Sequence, residues 1–449
     1  MTRRAFGQEA AGNAKGESDV ARSDNAPPAQ GSVSPAGEAV RARERFLVFG
    51  APAIEDAEIA EVVASLKSGW LGTGPKVARF ERDFAAYKGA HHPVAVSSCS
   101  AALHLSLLAA GIGPGDEVIT TALTFCATVN AIIHAGATPV LADVEGSTMN
   151  LDPRAVEAKL TPRTRAILPV HFAGRPCAMD ALMALARQHR LAVIEDCAHA
   201  IEAGYHGQPV GTFGDFGCFS FYVTKNIVAG EGGMVLARRA EDAAAIRVLA
   251  LHGMSQDAWK RFNDEGYTHY DIEAAGFKYN MTDLQAAIVL HQLPRIDRYA
   301  ERRRALWRRY DEAFADLPLV TPAPPEADTQ HARHLYTILV DEGAAGIGRD
   351  AFVAAMAEQH IGVGVHYRCL AEYDYYRRRY GWRPEDFPEA MRIGRQTISL
   401  PLSAKLGEDD AADVIRAVRR IVEGAGARTP GSMSAVRGAA ASAPVGGGA

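Results

Sequence analysis

The chain has no two cysteines spaced as C-x-x-C: its six, Cys99, Cys126, Cys177, Cys197, Cys218 and Cys369, are scattered. Neither a zinc ribbon nor a disulfide framework is expected, and the thiols read as reduced and mostly buried. No apolar run reaches the roughly 18 residues that cross a bilayer, and the N-terminus lacks the basic-then-apolar order of a secretory signal. A membrane partner is therefore not expected, and the cytoplasm is the expected location. Basic excess is missing as well: the formal net charge is -5, which argues against non-specific nucleic-acid binding. The dinucleotide fingerprint G-x-G-x-x-G is absent, because Gly111, Gly113 and Gly115 follow a helical pattern and read as a turn. That absence excludes a nicotinamide dehydrogenase of the usual kind. There is no internal repeat, and no metal site is expected.

What is present is a chain of 449 residues, 48% hydrophobic and 22% charged, long enough for two domains. Residues 1–44 and 426–449 are rich in small, polar and charged residues and read as disordered tails. The acidic residues of the first tail weigh against a transit peptide. Between the tails, seven short apolar runs alternate with helical patterns: PVAVS, EVITT, TPVLADV, RAILPV, LAVIED, FGCFSFY and GMVLA. Such alternation predicts an α/β domain over 45–300, with a mainly parallel seven-stranded sheet covered by helices. From Glu301, ERRRALWRRYDEAFADL reads as a long amphipathic helix leading into a smaller α+β domain over 301–425. That domain carries LYTILVD, GVGVHYR, TISLPLS and a closing helix from about Glu408.

Four places carry chemistry. The run into the helix at SSCSAALHLSL puts hydroxyls near a helix start around Ser100, where an anion or an ordinary serine cap fits. Phe125 lies just past the strand EVITT, either as a ring that stacks on a flat ligand or as a core aromatic. LAVIED delivers Glu195 and Asp196 to a buried strand end, and Asp196 there either holds a protonated heterocyclic nitrogen or caps the next helix. His199 lies three residues on. Finally, SFYVTKNIVAGEGG sets Lys225 between a strand and a glycine cluster, either as a solvated turn lysine or as a desolvated one whose neutral amine attacks a carbonyl to form a Schiff base. Ser220 adds a hydroxyl to an anion site. Phosphate cradle, stacking ring, acidic partner and lysine together are the parts that pyridoxal phosphate requires.

These residues and their order resemble the DegT/DnrJ/EryC1/StrS sugar aminotransferases, fold type I pyridoxal-phosphate enzymes. The resemblance runs from about Phe46 to Val422, through SGWLGTGPKVARFE, TFCATVNAI, PVHFAG, IEDCAHA, GFKYNMTDLQAAI, GVHYR and SLPL. It implies that Lys225 bonds to the cofactor and shuttles protons, Asp196 partners the pyridinium nitrogen and Phe125 stacks on the ring. It sets His199 near the phenolic oxygen, and Ser100, Ala101 and Ser220 at the phosphate. Asn280, in KYN where N-Y-R is frequent, is implied to reach the phosphate of a partner subunit, in a homodimer with shared active sites. Cys99, where glycine or alanine is commoner, adds bulk beside the phosphate turn. The implied activity moves an amino group, from L-glutamate, to a nucleotide-linked keto-sugar, with the sequence most similar to the branch that aminates UDP-4-keto-pentoses. Alternatives are a cyclitol aminotransferase and a non-catalytic regulatory or binding protein that keeps the fold. The intact Lys225 argues against a sugar 3-dehydratase, and the run EYDYYRRRYGW reads either as a nucleotide contact or as a solvated basic helix face.

Overall fold

All seven apolar runs form strands, because β-branched and aromatic residues flanked by turn formers suit a sheet buried on both faces. The computed structural model describes residues 43–255 and 270–426. The strands are β1 (His92–Val96), β2 (Glu117–Thr121), β3 (Thr138–Ala142), β4 (Thr164–Leu168), β5 (Ala192–Asp196), the short β6 (Gly204–Tyr205) and β7 (Gln208–Pro209), β8 (Phe216–Ser220) and β9 (Gly233–Ala237). Seven of these make one sheet in the order β1-β9-β8-β5-β4-β2-β3, in which only β9 runs against the rest. The carboxyl ends of β1, β5 and β8 therefore share one rim. Because β9 is antiparallel, its first residue, Gly233, lies at that rim between Val96 and Ser220.

Beyond the sheet come β10 (Thr329–Gln330), β11 (Tyr336–Leu339) and β12 (Thr397–Leu400), the last two forming an antiparallel pair. A separate core surrounds that pair, built from Leu306, Tyr310, Phe314, Ile338, Ile398 and Val418 among others. The long helix spans Ile296–Phe314, starting before Glu301 because Ile296, Tyr299, Ala300 and Arg303 already repeat on its buried face. It buries Tyr299 in the core beside the main sheet and Leu306 in the second core. The closing helix is Glu408–Gly426. GVGVHYR forms no strand, only a bridge from Gly364 to Ser399 of β12.

The two expected tails lie outside the described residues except at their inner ends. There, Arg43 ion-pairs with Asp410 and Asp413 on the closing helix. Gly111 and Gly115 take φ of 74° and 94° in the turn before β2, which explains glycine at both. The six cysteines are free, four of them buried. Among the described residues, no helix is long and apolar enough to cross a membrane.

Candidate active site

Lys225 sits in the loop that leaves β8 and returns into β9, its own N–H donating to the Tyr222 carbonyl at 2.9 Å. Burial pushes its amine down to about 8, with Cys99 and Asp196 pulling the other way. Because the neutral amine is the nucleophile, capture of an aldehyde is expected to quicken with rising pH and to level off above about 8. Stopped-flow absorbance of the cofactor-free protein mixed with pyridoxal phosphate checks this.

Asp196 ends β5, the neighbour of β8, and is buried. Its carboxylate accepts from the Thr128 hydroxyl at 2.9 Å and from the Ala198 N–H at 3.1 Å. Burial pushes this carboxyl above its usual range, and Ala198, Thr128, Lys225 and His171 hold it back. A cationic ring nitrogen in reach of it would complete the compensation that a buried carboxylate needs. Thr128 was not anticipated from the sequence. Its contact with Asp196 joins segments 68 positions apart, and no local spacing signals it.

Phe125 caps the helix Cys126–His134 and exposes 57% of its surface, so its ring is open to a ligand rather than part of the core. It lies 6.1 Å from the Tyr367 ring. His199 is buried; its Nε2 is 3.2 Å from the Tyr367 hydroxyl, and its Nδ1 has no hydrogen-bond partner among the described residues. An orphaned buried imidazole nitrogen beside a buried, only partly compensated carboxylate and a depressed amine fits a polar aromatic cofactor. Two further residues here, Tyr367 and His366, were quoted only within the motif GVHYR, and a third, His334, whose ring is 4.5 Å from that of His199, was not anticipated.

The anion turn is built differently in detail from the sequence expectation. The helix runs Cys99–Ala109, one residue earlier than Ser100, and Ser98 is its cap, accepting from the Ala101 N–H. Ser98 was missed because three serines in SSCS compete for the cap. Ser100 is exposed and Ala101 buried. Ser220 lies at the same rim, where its hydroxyl accepts from the Tyr222 N–H at 3.3 Å. Gly233 permits the close approach, since a Cβ there would stand 2.4 Å from the Ser98 carbonyl carbon. Asn280 bridges to Val96 and donates from Nδ2 to the Thr73 hydroxyl at 2.7 Å, within its own chain. The basic run forms the helix Asp374–Tyr380, on which Arg377, Arg378 and Arg379 are exposed and the Tyr376 hydroxyl donates to Asn130 at 2.7 Å.

Beneath Asp196, Glu195 carries structure rather than chemistry. It accepts from the N–H groups of Gly211, Phe213 and Gly214 and faces His171 Nε2 at 3.1 Å. His171 Nδ1 accepts from the Cys177 N–H, which leaves the imidazole proton on Nε2 for Glu195. With Cys197 these side chains converge within 4.8 Å, yet the imidazole and carboxylate are already engaged in hydrogen bonds. Glu195→Gln is expected to cost about 2 to 3 kcal/mol by leaving buried donors short of an acceptor, seen as a lower urea midpoint at unchanged slope. A cavity of about 520 Å³ lies elsewhere, lined by Lys88, Gly204, Gly207, Gln208 and Pro209 among others, and none of the expected cofactor residues lines it.

A model of the DegT/DnrJ/EryC1/StrS aminotransferase family matches residues 52–419. The spore coat polysaccharide biosynthesis protein SpsC of Bacillus subtilis (strain 168) is 50% identical over 388 residues, covering 86% of this chain and all of SpsC. Among solved structures, Spr1654 from Streptococcus pneumoniae in its PMP form is 33% identical at a TM-score of 0.79, covering 84% of this chain and 100% of its own. DesI, solved in the presence of its TDP-sugar product, is 33% identical at a TM-score of 0.76, covering 86% and 95%.

Proposed function

The chain belongs to the DegT/DnrJ/EryC1/StrS aminotransferase family, and from that premise we propose that it moves an amino group from L-glutamate to the 4-keto carbon of a nucleotide-linked sugar. Its cofactor is pyridoxal 5′-phosphate; a relative has been solved in both PMP and PLP forms. When bound, the cofactor supplies an electron sink for the carbon that loses its proton. The observation that carries the reading is geometric: at one rim of the sheet, Lys225 in the loop after β8 meets the buried Asp196 carboxylate, held by Thr128 and the Ala198 N–H, and the unpartnered Nδ1 of His199.

The protein's own residues divide the work. Lys225 would hold and return the proton at the reacting carbon, since burial brings its amine down to about 8 and makes it a usable base. Asp196, oriented by Thr128 and the Ala198 N–H, would keep the ring nitrogen protonated. Phe125 would cover a ring face, His199 would face the phenolic oxygen, and the Ser98–Ala101 helix start with Ser100 and Ser220 would receive the phosphate. The nucleotide-linked acceptor is supported by DesI and its TDP-sugar product, and a polysaccharide pathway by SpsC.

A homodimer is part of the proposal. Ile59, Val63 and Leu66 expose an apolar stripe on the helix Asp56–Ser68, continued by exposed Trp70 and Leu71. Stripes of this kind mark protein contacts. In such a dimer Asn280 would exchange Thr73 for the partner's phosphate, and light scattering of the full chain reports the assembly state.

The test is a substrate panel. With glutamate as donor, UDP- and TDP-linked 4-keto-sugars, the UDP-4-keto-pentose among them, should yield amino-sugar nucleotides by mass spectrometry. Turnover of a cyclitol ketone alone would overturn the nucleotide-sugar reading.

A further inference from the structure

We propose that Tyr367 is a positioning residue that fixes the tautomer of His199, placing the imidazole proton on Nδ1, where it is donated to the phenolic oxygen of pyridoxal phosphate. This rests on the cofactor reading above, and it assigns a function to the C-terminal segment GVHYR that the main-sheet residues alone do not provide.

The argument begins with supply and demand for one proton. A neutral imidazole has one donor and one acceptor nitrogen, and which is which depends on its neighbours. His199 is neutral: burial disfavours its cation, and Lys225, His334 and His366, the basic groups around it, disfavour it further. Its two nitrogens meet different surroundings. Nε2 is 3.2 Å from the Tyr367 hydroxyl, while Nδ1 is buried and has no partner among the described residues.

Tyr367 keeps its own proton, because burial with Asp196 and Cys126 nearby pushes the phenol upward. The hydrogen bond found for its hydroxyl is the one to Nε2. Donating there satisfies the hydroxyl and occupies the Nε2 lone pair, so the imidazole proton is left on Nδ1. The phenolic oxygen of the cofactor is an acceptor that carries negative charge. An Nδ1–H donor stabilises it, whereas the other tautomer would turn a lone pair toward it.

Tyr367 is held for this task from both sides. Its ring packs 6.1 Å from Phe125 and 6.2 Å from Phe172, with its plane 14° from that of His199. The backbone before it is hooked to β12 by reciprocal bonds between Gly364 and Ser399 at 3.0 and 2.8 Å. His366 Nδ1 meets the Ser399 hydroxyl at 2.9 Å, and the Thr397 hydroxyl donates to the His366 carbonyl at 3.0 Å. The small sheet thus aims one hydroxyl into the site of the large one. His334 is kept from competing, since its Nδ1 pairs with Asn226 Oδ1 at 2.9 Å and Asn226 is anchored on Glu202.

The experiment is ¹⁵N NMR of the full chain labelled at histidine, without cofactor and with pyridoxal phosphate, with His199→Gln used to assign the signal. The expected result is a His199 protonated at Nδ1 in both samples. Tyr367→Phe, which removes only the hydroxyl, should shift the proton toward Nε2 and weaken pyridoxal-phosphate binding by about threefold to tenfold, the worth of one hydrogen bond. A His199 protonated at Nε2 in the unaltered protein overturns the proposal even if Tyr367→Phe fails to fold, and so does a tautomer that Tyr367→Phe leaves unchanged. An absorbance titration showing no binding of pyridoxal phosphate would instead sink the cofactor reading, while the cofactor-free spectrum still reports the Tyr367–His199 contact.

Discussion

Lys225→Ala is expected to abolish the visible absorption that pyridoxal phosphate acquires when bonded to a lysine, and to lower transamination by at least about 10³-fold. Both effects follow from one atom. On the proposed reading the Lys225 amine is both the nucleophile that captures the aldehyde and the base that moves the proton, so its loss removes two functions at once. Lys225→Arg should fail equally, since a guanidinium keeps the charge but remains protonated. A control separates geometry from acidity. Lys88 is buried and its amine is likewise pushed down to about 8 by burial, yet it donates to the Ile201 carbonyl at 3.0 Å and lies 5.1 Å over the Phe219 ring. A depressed amine alone does not make a catalytic lysine, and Lys88→Met should keep the visible band. Loss of the band in Lys88→Met together with its survival in Lys225→Ala would reverse the assignment.

Asp196→Asn should retain cofactor binding but slow turnover by about 10² to 10³-fold, the cost of breaking one buried charge pair. The substitution preserves size and some of the hydrogen bonding from Thr128 and Ala198, so the fold is spared. On the proposed reading it removes the negative charge that would keep the ring nitrogen protonated and the ring electron-poor. Single-turnover rates with glutamate should fall much more than the affinity for pyridoxal phosphate. Equal losses in both would mean that Asp196 builds the pocket rather than tuning the ring.

Much of this was legible because the sheet writes itself in runs of apolar residues. The runs PVAVS, LAVIED and FGCFSFY predict strands whose carboxyl ends carry the chemistry, and β1, β5 and β8 bring Ser98, Asp196 and Ser220 to one rim. The less legible parts depend on contacts between distant segments. Tyr367 and His199 are separated by 168 positions, and nothing local says that their side chains meet. Thr128 looks like an ordinary helix residue until the strand end carrying Asp196 is placed beside it. Ser98 was hidden among neighbouring serines, because capping depends on which residue takes extended backbone. Asn280 shows a different gap: the family resemblance directs it to a partner subunit, whereas within one chain its amide rests on Thr73.

The most direct test of the account is the absorption spectrum of the purified, cofactor-loaded protein before and after L-glutamate, with no sugar present. The account predicts a visible band that gives way to near-ultraviolet absorption as the amino group moves to the cofactor, and that returns when a keto-sugar nucleotide is added. A protein that acquires no visible band in the presence of pyridoxal phosphate would contradict the assignment of Lys225, and with it the catalytic roles built around it.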